Sequence, residues 1–177
     1  MLLLCHYSFD YKRGQVGTLY NILLPFAILA RMEKNSKYPS TFYRISLKAV
    51  IRNDQGEVLV NRERGHGNWS LPGGGWDHGE TVTDCLKREL HEEVGYEGEL
   101  EAALLGVTEE AMYMPTKQGW LIWHVYDVTP ENMNFSVGVD GEELMFADPS
   151  RFKDSESRAE RLIAHFGTQA LRVASAS

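Results

Sequence analysis

The sequence predicts a mixed α/β domain, and three observations carry that reading. Residues Ile45 to Arg52 (ISLKAVIR) put Ile45, Leu47, Ala49 and Ile51 on one face of a strand. Thr81 to Val94 repeats apolar residues every fourth position, as an amphipathic helix does. Trp120 to Val128 (WLIWHVYDV) is apolar on both faces, which suits a strand in the middle of a sheet.

In chain order, the strand at Ile45–Arg52 meets the turn signal Asn53-Asp54-Gln55-Gly56 and a second strand, Glu57 to Arg62, so the two read as a hairpin. A loop, Glu63 to Asn68, leads to the short extended Trp69-Ser70-Leu71, stopped by Pro72. The helix has Thr81 as N-cap, Asp84 three residues later as a capping box, and Gly95 to end it in the left-handed conformation. Strands follow at Leu100–Val107 and Trp120–Val128, with a short one at Glu143–Phe146. Pro130 to Gly141 reads as irregular. Ser155 to Phe166 reads as a helix closed by Gly167, with a tail, ALRVASAS, that frays.

At 177 residues the chain suits one packed domain, and an apolar share of 43% supplies a core. The net charge of -7 argues against broad binding to a nucleic-acid backbone, which needs Lys and Arg to replace counterions. Cys5 and Cys85, 80 positions apart, make neither a zinc spacing nor a disulfide framework, so a reducing, cytoplasmic setting is expected. The domain is expected over residues 43–177, behind an extension of residues 1–42. In that extension Leu19 to Ala30 is a 12-residue apolar run, too short to span a bilayer, so no membrane-spanning segment is expected. Three readings of the run stay open: a signal or anchor, a helix packing on the domain or on a second copy in a homodimer, and a start of translation at Met32 that leaves it out of the product.

The segment Gly73 to Tyr96 (GGGWDHGETVTDCLKRELHEEVGY) carries the chemistry. On a helical wheel Glu89, Glu92 and Glu93 share one arc at the rim of the stripe Val82, Leu86, Leu90, Val94. Like charges at these spacings cost a few tenths of a kcal/mol per pair, and partial burial adds to that. A hard divalent cation, Mg²⁺ or Mn²⁺, would offset the cost by taking carboxylate oxygens as ligands. The glycines before the helix would let backbone approach a ligand. Three rival motifs fail: Gly79 is followed by Glu80 and not Gly-Lys-Ser/Thr, Gly73–His78 lacks the third glycine of a dinucleotide fingerprint, and His91-Glu92-Glu93-Val94 lacks the second histidine of a zincin.

The segment resembles the Nudix box, G-x5-E-x7-R-E-U-x-E-E-x-G-U with U aliphatic. Gly74, Glu80, Arg88, Glu89, Leu90, Glu92, Glu93 and Gly95 match its fixed positions, and Tyr96 departs where an aliphatic residue is usual. The resemblance implies an α/β/α sandwich around a mixed sheet, with the box as loop–helix–loop. It implies hydrolysis of a nucleoside diphosphate linked to another moiety by water attack on phosphorus. Glu89, Glu92 and Glu93, with the Gly74 carbonyl, would hold Mg²⁺ (or Mn²⁺), while Glu80 and Arg88 orient the site. The general base would be a box glutamate such as Glu89, or a later-loop residue, Glu142 or Glu143, with Asp140 nearby.

Substrate contacts are expected from Arg62, Arg64, Trp69, His78 and Tyr113, each against a plainer reading as a solvated or packing residue. Tyr113 lies about where diadenosine-polyphosphate members keep a tyrosine. The rival function is a non-catalytic Nudix module that binds a nucleotide and regulates a partner, which the intact box disfavours. The isoprenoid isomerase branch would need a cysteine in the site, and Cys85 on the apolar stripe does not suit.

Overall fold

The computed structural model describes residues 42–169. The readings of Cys5, of the run Leu19–Ala30, of a start at Met32 and of the tail beyond residue 169 lie outside those residues. The element order is β1 (Tyr43–Val50), β2 (Val58–Glu63), α1 (Val82–Val94), β3 (Leu100–Val107), β4 (Met112–Met114), β5 (Gly119–Pro130), β6 (Gly141–Ala147), a 3-10 turn (Pro149–Phe152) and α2 (Arg158–Gly167).

The main sheet is mixed. β5 lies between β1, which it pairs in parallel, and β3, which it pairs antiparallel, and β4 pairs antiparallel with the start of β5. The central place expected for Trp120–Val128 is the one found. The odd-numbered face of β1 (Leu47, Ala49), with Ile51 just beyond it, packs with Leu86, Leu90 and Val94 of α1 and with Tyr126 and Val128 of β5. Val50 on the other face joins Trp123 and Val125 under Leu162, Ile163 and Phe166 of α2. One helix therefore covers each face, which is the α/β/α layering. Each fully buried Leu, Ile or Val among them contributes roughly 1.5–3 kcal/mol relative to exposure. No helix among the described residues is long and apolar enough to cross a membrane.

The expected hairpin of β1 and β2 is corrected. The turn forms, with Asn53 N–H donating to the Glu57 carbonyl and Gly56 at φ 78°. Pairing stops after the bridge Arg52↔Val58 and the bond from Leu59 N–H to the Ile51 carbonyl. Beyond it, the free edge of β1 is taken by the Pro72–Gly75 segment: Ala49 N–H donates to the Pro72 carbonyl, and Leu47 N–H to Gly74. β2 instead pairs antiparallel with β6 in a second, two-stranded sheet.

The α1 caps are the expected ones. Thr81 and Asp84 form the capping box, and Gly95 closes the helix at φ 57°. Its last carbonyls are all satisfied. Those of Leu90 and His91 accept from Tyr96 and Gly95, and those of Glu92, Glu93 and Val94 accept from Asp140, Gly138 and Ser136. The loop before β6 is thus fixed to the glutamate-bearing end of α1. For α2 the reading is corrected: the helix starts later, capped by Ser157, and Gly167 is its last residue, with Thr168 in right-handed geometry behind it. Arg52 donates to the Phe166, Gly167 and Gln169 carbonyls there, so a side chain does the work expected of a left-handed glycine.

Candidate active site

The glycine loop runs along β1 because two side chains and one edge hold it there. Lys48 Nζ donates to the Gly73 carbonyl, and Gly73 N–H donates to Glu93 Oε2 at 2.8 Å. Gly73 sits at φ 122°, where a Cβ would lie 2.2 Å from the Leu47 carbonyl oxygen, so only glycine fits. A Cβ on Gly74 would lie 2.3 Å from Glu89 Oε2, so the bare Cα is what gives that carboxylate its room.

Glu89 and Glu93 are 9% and 5% exposed, so the like charges are indeed at a buried rim. Glu93 Oε2 also accepts from Asn61 Nδ2 at 2.9 Å. Burial pushes the Glu93 carboxyl up to about 7, against the pull of Lys48 and the Gly73 N–H. Burial also raises Glu89, against the pull of the Arg88 guanidinium. Glu80 goes the other way: its hydrogen bonds from Arg88 hold it at about 2. Arg88 grips Glu80 in two-pronged fashion, Nε to Oε1 at 2.6 Å and Nη2 to Oε2 at 3.0 Å. It also donates to Glu89 Oε1 at 2.6 Å, to Glu92 Oε2 at 3.3 Å and to the Gly75 carbonyl at 3.0 Å. The guanidinium therefore fastens the loop to the helix.

Glu89, Glu93 and Gly74 line a cleft of about 820 Å³, within the roughly 300–1,000 Å³ of small-molecule sites. Arg44, Lys48, Arg64 and Lys117 bring positive charge to it, and Glu63 and Asp140 add negative charge. Glu89 Oε2 and Glu93 Oε1 accept no hydrogen bond among the described residues. Oxygen donors of this kind suit a hard divalent cation. No set of three or more His, Cys, Asp or Glu among the described residues is gathered as a metal site, and Arg88 holds Glu92 and one oxygen of Glu89. The Gly74 carbonyl accepts from Leu47 N–H, which leaves it one lone pair.

The remaining expected residues are dispersed. Arg64 lines the cleft. Arg62 does not: it pairs with Glu143 and lies 3.9 Å from Glu142, both half-exposed, and its guanidinium stacks 5.3 Å over Trp69. His78 lines a separate hollow of about 420 Å³ with Tyr43 and Trp76. Tyr113 does not line the cleft; it packs its ring 5.1 Å from Trp120, its partner across β4 and β5. Cys85 is buried on the α1 stripe, and burial pushes its thiol up to about 12.

Sequence reading missed Asn61, Lys48, Arg44 and Lys117. Two signals were present: a lysine inside the apolar strand ISLKAVI, and an asparagine inside EVLVNR. Lys48 is 7% exposed and Asn61 is fully buried, so both polar groups needed partners that lie elsewhere in the chain.

Comparison with known proteins agrees with this geometry. Residues 42–166 match the NUDIX domain. Over 53 residues the chain is 45% identical to the RNA pyrophosphohydrolase of Psychrobacter sp. (strain PRwf-1), a match covering 30% of this chain and 31% of that protein. Over 67 residues it is 42% identical to the RNA pyrophosphohydrolase of Legionella pneumophila (strain Corby), covering 37% of each. The chain thus spans about a third of the length of the curated relatives it matches. In fold it is similar to the MutT protein from Methanosarcina mazei Go1, with TM-score 0.60, 22% identity, and coverage of 73% of this chain and 96% of that one. It is also similar to the MutT NUDIX hydrolase from Burkholderia pseudomallei, with TM-score 0.57, 25% identity, and coverage of 71% and 98%. The domain match takes in well over half of the sequence, and the chain belongs to the Nudix family.

Proposed function

We propose that this chain is a pyrophosphohydrolase that cleaves a nucleoside diphosphate linked to another moiety, using Mg²⁺ or Mn²⁺. The observation that carries the reading is the pair of buried carboxylates, Glu89 and Glu93, each with an oxygen open to a cleft that also holds cations. Glu89 and Glu93 hold the metal, with Glu92 and the Gly74 carbonyl as further ligands. When bound, a divalent cation offsets phosphate charge and lowers the pKa of an attacking water.

The protein's own part is to fix the geometry. Asn61 and the Gly73 N–H set the angle of Glu93. Arg88 ties Glu80, Glu89 and Glu92 to one guanidinium. Lys48 adds positive charge beside both buried glutamates. A water oxygen then bonds to phosphorus as the bridging P–O bond breaks, giving a nucleotide and a phosphorylated remainder. The base we favour is a box glutamate that lines the cleft, since Glu142 and Glu143 lie outside its lining beside Arg62. The reading includes a cytoplasmic setting, in keeping with the free thiol of Cys85.

The names of the relatives support pyrophosphate cleavage, and 5′-triphosphate RNA therefore joins nucleoside triphosphates, dinucleoside polyphosphates, ADP-ribose and nucleotide sugars in the test panel. Each is incubated with Mg²⁺, Mn²⁺ or EDTA. Turnover of one class, lost in EDTA and in Glu93→Gln, is expected. A folded protein that turns over none of them with metal would overturn the reading.

A further inference from the structure

Four cations line the cleft, and two of them are already engaged. Arg44 Nη2 lies 3.1 Å from Asp77 Oδ1, and Lys48 donates to the Gly73 carbonyl beside Glu89 and Glu93. Arg64 and Lys117 are exposed and have no ion-pair partner among the described residues. They come from different elements. Arg64 follows β2, where its N–H donates to the Asp140 carbonyl at 2.9 Å. Lys117 sits at the tip of the β4–β5 hairpin.

That tip is held in one shape. Lys117 N–H donates to the Met114 carbonyl at 3.2 Å. Gln118, the next residue, is at φ 50°, the one positive φ of a non-glycine residue among those described. Gly119 is pinned under Phe42, where a Cβ would lie 2.2 Å from the ring, and Trp120 N–H donates to the Phe42 carbonyl at 2.9 Å. A left-handed glutamine is costly unless its surroundings demand it. Lys117 and Met114, on either side of this bend's start, both line the cleft.

We propose that Lys117 and Arg64 form a second phosphate subsite in the same cleft as Glu89 and Glu93, and that this selects substrates with three or more linked phosphates over those with two. The inference deepens the hydrolase reading and rests on it for the word substrate; the subsite itself is a matter of binding. Phosphate is the chemical class because both groups are exposed cations that donate several hydrogen bonds, and two such groups on one cleft suit a chain of anions.

The test is a calorimetric titration of the 177-residue chain with inorganic tripolyphosphate and with pyrophosphate, in metal-free buffer and again with Mg²⁺. Wild type is expected to bind tripolyphosphate at least roughly fivefold more tightly than pyrophosphate, as one or two exposed charge contacts would give. Lys117→Ala should bring the two affinities within about twofold, Lys117→Glu should reverse the order, and Lys117→Arg should restore it. Both positions are exposed, so the variants should fold, and an unchanged melting temperature checks this. Equal affinities in wild type, or a preference that survives in Lys117→Ala and in Arg64→Ala, would overturn the subsite. A clear tripolyphosphate preference with no turnover of any substrate would leave the subsite standing and remove the hydrolase reading. Turnover of two-phosphate and three-phosphate substrates with equal KM would do the reverse.

Discussion

Asn61 Nδ2 donates to Glu93 Oε2 across 2.9 Å, from β2 to the last turn of α1. It is a neutral donor meeting a buried carboxylate, and it joins the second sheet to the helix that carries the site. Asn61 Oδ1 in turn accepts from Ser70 Oγ at 3.3 Å, and the two residues exchange backbone bonds. Asn61→Ala removes one of the two donors on Glu93 Oε2. Loss of a buried donor of this kind should cost about 1–3 kcal/mol, read as a lower midpoint in urea unfolding with unchanged slope. An unchanged midpoint would mean that the bond is idle.

Glu93 should make the metal-free protein less stable as pH rises. Its carboxyl titrates at about 7 when folded, against 4.5 ordinarily. The stability from burying it neutral is complete below about pH 4.5 and is lost as pH climbs through 7, in all about 3 kcal/mol. Glu93→Gln keeps the acceptor for Asn61 and Gly73 but cannot ionise. In EDTA the variant should therefore lack this fall and be the more stable protein at pH 8. Denaturant unfolding from pH 4 to pH 8 checks both curves.

Gly74→Ala would place a methyl group 2.3 Å from Glu89 Oε2. The carboxylate or the loop must give way. A displacement near 1 Å costs roughly 10²-fold in rate. We expect a loss of that order in kcat/KM on the preferred substrate, with the fold intact by circular dichroism.

Arg88→Lys keeps the charge and loses the fork that meets Glu80 through Nε and Nη2. The point charge cannot hold Glu80, Glu89 and Glu92 at once. Activity should fall at least about tenfold, since loop and helix glutamates are no longer tied together. Amide exchange at Asp77, whose N–H donates to Glu80 Oε2 at 3.0 Å, should speed up in the variant. Slow exchange there with full activity would remove Arg88 from its positioning role.

The helix that bears the site was legible in the sequence because its signals are local. Thr81, Asp84 and Gly95 act within one turn of the residues they cap, and the stripe Leu86, Leu90, Val94 states its own buried face. Strand partners were not legible. The turn at Asn53–Gly56 is real, yet the partner of β2 lies 78 or more positions on, in β6. The edge of β1 that β2 would have used is occupied by Pro72–Gly75. β4 was hidden by its length of three residues. In the site, the box residues announced themselves by spacing, while Asn61 and Lys48 bond Glu93 and the Gly73 carbonyl through contacts that no local pattern encodes. Arg62, Trp69 and Tyr113 show the converse: residue type suited a site, but their partners are Glu143, Glu160 and Trp120.

On the proposed function Glu89 and Glu93 hold a divalent cation. The most direct measurement is the melting temperature at pH 8 as Mg²⁺ is titrated in, for wild type and for Glu93→Gln. A cation bound only by the folded state adds about 2.7 kcal/mol at one hundred times its Kd, which for a domain of this size is several degrees. Wild type should rise by that much while Glu93→Gln stays flat. No rise in wild type, or an equal rise in both, would contradict a cation seated on these two carboxylates.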